Sequence, residues 1–105
     1  MLKEIQECFR EDRIYYSRHA RDEMESEEAG EIIDKEVLKA ASAGKIIEHY
    51  LEDEPYPSCL VYERTKKNRP LHAVCANSED KRLSIVITVY QPNPERGIGF
   101  TRRKK

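Results

Sequence analysis

Three histidines and a tyrosine at the end of a strand-like segment are the side chains of this sequence best suited to acid–base chemistry. Histidine titrates near neutral pH without help from its surroundings, so His19, His49 and His72 are the first candidates. Tyr90 ends a run of β-branched residues that Pro92 must stop. If His72 and Tyr90 project from the same face of a sheet, we expect them to share one pocket with His19.

These residue types match the needs of metal-free RNA cleavage. A base must remove the 2′-hydroxyl proton, an acid must protonate the leaving 5′-oxygen, and a cation must stabilise the phosphorane. His19 and His72 are the candidate acid–base pair. Arg21 and Arg69 are the candidate cations, and Tyr90 is the candidate donor to phosphate. The competing interpretation is structural, because histidines and tyrosines often pack and arginines often form ion pairs.

Other kinds of chemistry have little support in the residues. The cysteines Cys8, Cys59 and Cys75 form no C-x-x-C pair, which predicts reduced thiols in the core. A zinc site that joins Cys59 or Cys75 to His49 or His72 is disfavoured, since no pair has the short spacing of metal ligands. The sequence also lacks a glycine-rich phosphate loop followed by a helix. It therefore predicts neither a metal nor a cofactor.

The net charge of −1 conceals an uneven distribution along the chain. Residues 1–54 hold 8 basic and 16 acidic side chains, whereas residues 55–105 hold 11 basic and 4 acidic ones. A basic second half favours contact with a polyanion, and its candidate RNA-binding residues are Tyr62, Lys66, Lys67 and Arg69. The alternative is that the two halves attract each other across the fold.

Helical patterns occupy the first part of the chain. Leu2–Arg10 has apolar residues at helical spacing. Ser17 is a candidate N-cap for a polar helix from Arg18 to about Glu28, on which His19 and Glu23 share one line. A third helix is predicted to have Asp34 as its N-cap and to end at Gly44.

Extended segments make up the rest, and short turns between them favour a four-stranded antiparallel meander. Helices first and strands second predict an α+β fold with the helices packed on the sheet. We expect the last strand, Arg82–Tyr90, to be central and buried on both faces. Residues 1–96 are predicted to form one domain, followed by a basic, flexible tail at 97–105.

The first residues and the hydropathy of the chain bear on its location. The N-terminal segment does not resemble a secretion signal, and no apolar run reaches the length needed to cross a membrane. The expectation is a cytoplasmic protein with no membrane contact.

Several motifs together resemble a known family. The segment Ser17–Arg21 with Met24 resembles the S-x-H-A-x-x-x-M opening of the prokaryotic domain-of-unknown-function family 4258. The resemblance continues, in the same order, over roughly residues 14–96. The motifs that carry it further are Val37–Leu38, Gly44–Glu48, Tyr56–Val61, Arg69–Val74 and Ile87–Pro92.

The resemblance implies a fold and an activity. The family is similar to the RelE and MqsR class of toxin ribonucleases, which implies a RelE-like α+β fold and an RNA substrate. Its members often accompany a zinc-finger antitoxin, which is the implied protein partner. His19, His72 and Tyr90 match recurrent polar positions of the family. The leading hypothesis is a metal-independent endoribonuclease of a toxin–antitoxin system, and the alternative is a non-catalytic protein- or nucleic-acid-binding module.

Overall fold

The structure, a computed structural model, describes residues 1–28, 30–65 and 68–92, and combines helices with a single sheet. The predicted α+β class is confirmed, whereas the predicted tail at 97–105 lies outside the described residues. The helices are α1 (Leu2–Arg10), α2 (Arg18–Ser26) and α3 (Asp34–Ala43). The strands are β1 (Ile14–Tyr16), β2 (Lys45–Tyr50), β3 (Ser58–Arg64), β4 (Pro70–Ser78) and β5 (Leu83–Tyr90).

The sheet has the order β1-β5-β4-β3-β2, and its strands from β2 to β5 form the predicted antiparallel meander. The prediction of four antiparallel strands is nevertheless wrong, because β1 adds a fifth strand parallel to β5. Ile14 lies opposite Ser84, and Tyr16 lies opposite Val86. The outer edge of β5 carries backbone groups that need partners, and the short β1 supplies them. A three-residue segment gives too little periodicity to show this pairing in the sequence.

The centre of the sheet is β4. All nine residues of β4 are buried, whereas half-buried and buried side chains alternate along β5 from Leu83 to Val86. The expectation that the β-branched strand is the central one is met in part, because β5 is an interior strand between β1 and β4 but lies next to the middle strand. Strand order decides which strand lies in the middle of the sheet, and β-propensity reports only the fit of side chains to a pleated surface. The sequence of β4, with its alanines and histidine, understates its central position.

All three helices pack on one face of the sheet, which we call the core face. The apolar side chains of the helices contact strand residues at alternate positions, as a pleated sheet requires. The cluster joins Ile5 and Phe9 of α1 and Met24 of α2 to Val61, Leu71 and Val86 of the strands, among others. None of the described helices is long and apolar enough to cross a membrane.

The two ends of α3 show how its boundaries are set. The residue before the helix is Ile33 rather than the predicted Asp34, which is the first helical residue. The Glu36 carboxylate accepts a hydrogen bond from the Ile33 N–H at 3.1 Å and so closes this end. At the other end Gly44 terminates the helix as predicted. A Cβ on Gly44 would lie 2.2 Å from the Ala40 carbonyl oxygen, which explains why glycine is needed here.

Candidate functional site

The sheet face opposite the helices, here called the second face, carries three of the candidate side chains. Tyr62, His72 and Tyr90 lie directly opposite one another on β3, β4 and β5, so they project from the same face. The His72 Nδ1 atom lies 3.3 Å from the Tyr90 hydroxyl oxygen, which makes a hydrogen bond. The Tyr62 ring meets the His72 ring edge-on, with 5.7 Å between centroids. The structure thus meets the condition that His72 and Tyr90 share a face.

The hydrogen-bonded pair His72 and Tyr90 is buried inside the protein. His72 is 0% exposed and Tyr90 is 3% exposed, while Tyr62 is half-buried. Leu60 and Val74, which project from the same face, are fully buried as well. A buried imidazole bonded to a tyrosine hydroxyl satisfies its polar atoms inside the protein. In this conformation, therefore, His72 and Tyr90 do not present acid–base groups to solvent.

His19 has the opposite environment. It lies in the first turn of α2, and its side chain is 69% exposed. Its Nε2 atom lies 3.3 Å from the Oε1 atom of Glu23, four residues further along the helix. Side chains four residues apart share one line of a helix, which is why these two meet. The result is an exposed imidazole held by a carboxylate, an arrangement suited to a general base with an orienting partner.

The carboxylate of Glu23 is fixed from the sheet side. Its Oε1 atom accepts hydrogen bonds from the Thr88 hydroxyl and from the Val89 N–H, the latter at 3.2 Å. Glu27, the residue directly after α2, also bonds the backbone of the sheet. Its Oε1 atom accepts a hydrogen bond from the Gln91 N–H at 2.8 Å. These amides belong to the part of the β5 edge that lies beyond β1. Helix α2 thus provides acceptors for the backbone where β1 no longer pairs with β5.

Ser17 sets the start and the direction of α2. Its side-chain oxygen accepts a hydrogen bond from the Ala20 N–H at 3.0 Å, which confirms the predicted N-cap. The same hydroxyl donates to the Ile87 carbonyl oxygen at 2.8 Å. The pairing of β4 and β5 shifts register between Val86 and Thr88, so Ile87 is the additional residue of a bulge. One hydroxyl therefore attaches the beginning of α2 to this bulge in β5.

The two histidine environments lie on the same side of the sheet. Thr88, which contacts Glu23, is paired with Val74 and projects from the second face, two residues before Tyr90. The described hydrogen bonds do not connect His19 to His72. The structure thus places the predicted pair as two groups, an exposed His19–Glu23 dyad at the edge and a buried His72–Tyr90 pair further in.

Arg21 is directed away from His19. Its guanidinium carbon lies 4.0 Å above the Tyr16 ring, and it forms a 2.6 Å ion pair with Asp34. Tyr16 projects from the core face, and residues two apart on a helix do not face each other. Burial, together with the nearby Asp34 carboxylate, raises the pKa of Tyr16 to about 12. The structure does not bring Arg21 together with the histidines.

Arg69 is engaged by the protein itself. Its guanidinium donates to the Gln91 side chain at 2.6 Å, to the Glu36 carboxylate at 3.3 Å, and to the carbonyl oxygens of Gly30 and Glu31. These contacts join the strands to the segment between α2 and α3. The other predicted RNA-binding cations, Lys66 and Lys67, lie outside the described residues.

The thiols are core groups. Cys8, Cys59 and Cys75 are all free and buried, which confirms that prediction. Burial raises the pKa of Cys59 to about 11 and raises the pKa of Cys75 as well. Within residues 1–28, 30–65 and 68–92, no group of three or more histidine, cysteine or acidic side chains is arranged to hold a metal ion.

Glu23 and Thr88 belong to the hydrogen-bonded group around His19 but were not among the predicted site residues. The helical spacing of His19 and Glu23 was a usable signal for the first. No signal in the sequence indicated Thr88, because its contact with Glu23 of α2 joins residues 65 positions apart.

A model of one protein family matches most of the chain. Its description is "Domain of unknown function (DUF4258)", and the match covers residues 16–91. The chain belongs to this family. The family domain holds both histidine groups, and α1 precedes it. No curated protein and no solved structure matches the chain. The motifs thus predicted the family correctly, while the similarity to the RelE and MqsR toxins stays a prediction.

Proposed function

We propose that this protein is a toxin-like, metal-independent endoribonuclease in which His19 exchanges protons with RNA. The observation that carries the proposal is the exposed His19 imidazole, 3.3 Å from a Glu23 carboxylate that the β5 edge holds in place. A general base needs access to its substrate and a partner that fixes its orientation. Among the three histidines, His72 lacks the access.

The chemistry follows from this geometry. Neutral His19 removes the proton from a ribose 2′-hydroxyl, and the 2′-oxygen attacks the adjacent phosphorus. Glu23 stabilises the imidazolium that forms, as an adjacent carboxylate does in other histidine sites. That imidazolium returns the proton to the departing 5′-oxygen. The products are a 2′,3′-cyclic phosphate and a 5′-hydroxyl.

The buried pair has a supporting role in this proposal. The His72–Tyr90 hydrogen bond joins β4 to the end of β5, two residues from Thr88. Thr88 in turn bonds the carboxylate that orients His19. His72 and Tyr90 are thus positioning residues, which act through β5 on the Glu23 carboxylate. The protein partner in this proposal is an antitoxin of the zinc-finger type, on the strength of the family resemblance.

The first prediction concerns His19→Ala. Wild-type protein should cleave a single-stranded RNA in the presence of EDTA, and His19→Ala should lower the rate by about 100- to 10,000-fold, the usual contribution of a general acid–base group. Gel electrophoresis of labelled RNA, with identification of the cyclic phosphate, measures this.

The matched control is His49→Ala, since His49 is exposed on β2 at the opposite edge of the sheet. It should cleave like the wild type, and circular dichroism should show both variants folded. An unchanged rate in folded His19→Ala, or no cleavage by the wild type, contradicts the proposal.

A non-catalytic binding module is the second candidate, and the burial of His72 and Tyr90 favours it. In that case the two residues only stabilise the sheet. Wild-type protein that binds RNA or a protein partner tightly and leaves RNA intact would establish this function instead.

A further inference from the structure

We propose that Tyr15 is the platform on which a base of single-stranded RNA stacks beside His19. This inference rests on the proposed function and names the part of the substrate that the site holds. Tyr15 is 59% exposed, more than any other described tyrosine. An aromatic ring left in water on a regular strand has an apolar face available to a ligand.

The backbone fixes the position of this ring. Tyr15 is the middle residue of β1 and lies opposite Ile85 of β5. Its neighbours Ile14 and Tyr16 pack against the core cluster, so Tyr15 projects from the second face. The ring therefore stands on the same side of the sheet as Thr88, which contacts the dyad.

Two apolar residues of β5 lie beside Tyr15 on the second face. Ile85, opposite Tyr15, is half-buried, and so is Leu83, which projects from the same face two residues earlier. A base stacked on Tyr15 would therefore cover additional apolar surface at its edge. Burial of such surface adds to the stacking free energy.

The short distance along the chain places the Tyr15 platform close to His19, the proposed general base. Only Tyr16, Ser17 and Arg18 separate Tyr15 from His19. Four residue steps span at most about 14 Å between Cα atoms, even in a fully extended chain. The N-cap bonds of Ser17 to Ala20 and Ile87 hold this connection in one conformation. One short RNA segment is long enough to contact both side chains.

Two exposed arginines lie at the two ends of β1. Arg18 follows it in sequence, and Arg82 lies at the end of β5 that pairs with the beginning of β1. Neither arginine forms a salt bridge with the part of the chain that the structure describes. Arg13 donates to the Arg82 carbonyl oxygen at 2.8 Å and fixes that turn. Arg82 shares a cavity with Glu4 and Glu7 of α1, which packs on the core face, so the exposed guanidinium of Arg18 is the one that suits a phosphate beside the stacked base.

These features favour RNA whose bases are unpaired. A base can stack on Tyr15 only if its own face is open, which excludes bases inside a duplex. Stacking also tolerates every base, since each has a π-face. The site should therefore prefer single strands and show little sequence preference at the stacked position.

The test is binding of a fluorescein-labelled single-stranded RNA whose 2′-hydroxyls are methylated, so that it cannot be cleaved. Fluorescence anisotropy should show that Tyr15→Ala weakens binding by about 5- to 100-fold, whereas Tyr15→Phe stays near the wild type. The matched control is Leu51→Ala, because Leu51 is 69% exposed next to β2 at the other edge of the sheet. It should bind like the wild type.

The outcomes separate the two proposals. If folded Tyr15→Ala binds RNA as tightly as the wild type, the platform is overturned, whatever the cleavage assay shows. If the wild type binds this RNA through Tyr15 but does not cleave the unmethylated form, the platform stands and the ribonuclease proposal fails. If the wild type binds no single-stranded RNA, both are overturned.

Discussion

At the scale of single residues, surroundings separate two histidines of the same type. His19 is exposed beside one carboxylate, whereas His72 is fully buried against Tyr62 and Tyr90. An imidazole can exchange protons with a substrate only where the substrate can reach it. The contrast assigns proton exchange to His19 and positioning to His72 within the proposed activity.

The thiols of Cys59 and Cys75 show the effect of burial on a titratable group. They lie directly opposite each other on β3 and β4, and both are 0% exposed. Burial disfavours the thiolate and raises both pKa values, that of Cys59 to about 11 from an ordinary 9.0. Since the thiolate is the reactive form, these side chains should be inert in the native protein at neutral pH.

The same pKa shifts predict a loss of stability in alkali. Above pH 9 the unfolded chain loses thiol protons that the folded chain retains, so the free energy of unfolding falls as the pH rises. The decline is at most about 1.4 kcal/mol per pH unit for each thiol, and for Cys59 it ends near pH 11. Urea denaturation from pH 8 to 10.5 measures it. In the Cys59→Ala, Cys75→Ala double variant the free energy of unfolding should fall less steeply with pH than in the wild type. Equal slopes for the two proteins would refute this account.

At the scale of elements, α2 is held to the sheet by polar contacts more than by apolar ones. Only Ala20 and Met24 of the helix are buried. The Ser17 hydroxyl bonds the bulge at Ile87, and the Glu23 carboxylate bonds Val89. These bonds give the helix one orientation, which in turn fixes where His19 stands.

Ser17→Ala should therefore destabilise the protein by about 1 to 2 kcal/mol. The change removes the N-cap acceptor of α2 and leaves the Ile87 carbonyl without its donor. Ser26→Ala is the control, since Ser26 is an exposed serine at the last residue of the same helix and donates to the Asp22 carbonyl oxygen within that helix. Its effect should stay within about 0.5 kcal/mol. Chemical denaturation compares the two, and similar losses would show that the cap has no special role.

At the scale of the whole molecule, Arg69 connects parts of the chain that are distant in sequence. One guanidinium bonds Glu36 of α3, the carbonyl oxygens of Gly30 and Glu31, and Gln91 after β5. The side chains of Arg69 and Glu36 are both largely buried. A buried cation with this many acceptors satisfies groups that would otherwise lack partners.

Arg69→Ala should cost about 3 kcal/mol, because it removes the charged donor from the largely buried Glu36 carboxylate and from two carbonyl groups. Lys3→Ala, at an exposed site on α1, should change stability by less than about 0.5 kcal/mol. Thermal and urea denaturation measure both variants. A loss below 1 kcal/mol for Arg69→Ala would mean that its contacts are weak, and the residue would again be available for RNA.

Local patterns predicted the local features of this molecule. Ser17 as a cap and Gly44 as a stop were predictable, because each acts within one or two turns of its own helix. The parallel pairing of β1 with β5 joins residues 70 positions apart, and three residues carry no pattern that reveals it. The Thr88–Glu23 contact was missed for the same reason. His72 was chosen correctly as a neighbour of Tyr90, but its burial depends on the whole fold.

The carboxylates that α2 places along β5 also limit how copies of this protein can aggregate. A bare sheet edge recruits strands from other molecules, and natural sheets block such growth with charge, short strands or bulges. On one side, β1 is only three residues long, and Glu23 and Glu27 occupy the amides of Val89 and Gln91. On the other side, β2 is irregular at Ile47. Each edge is thus a poor template for a further strand.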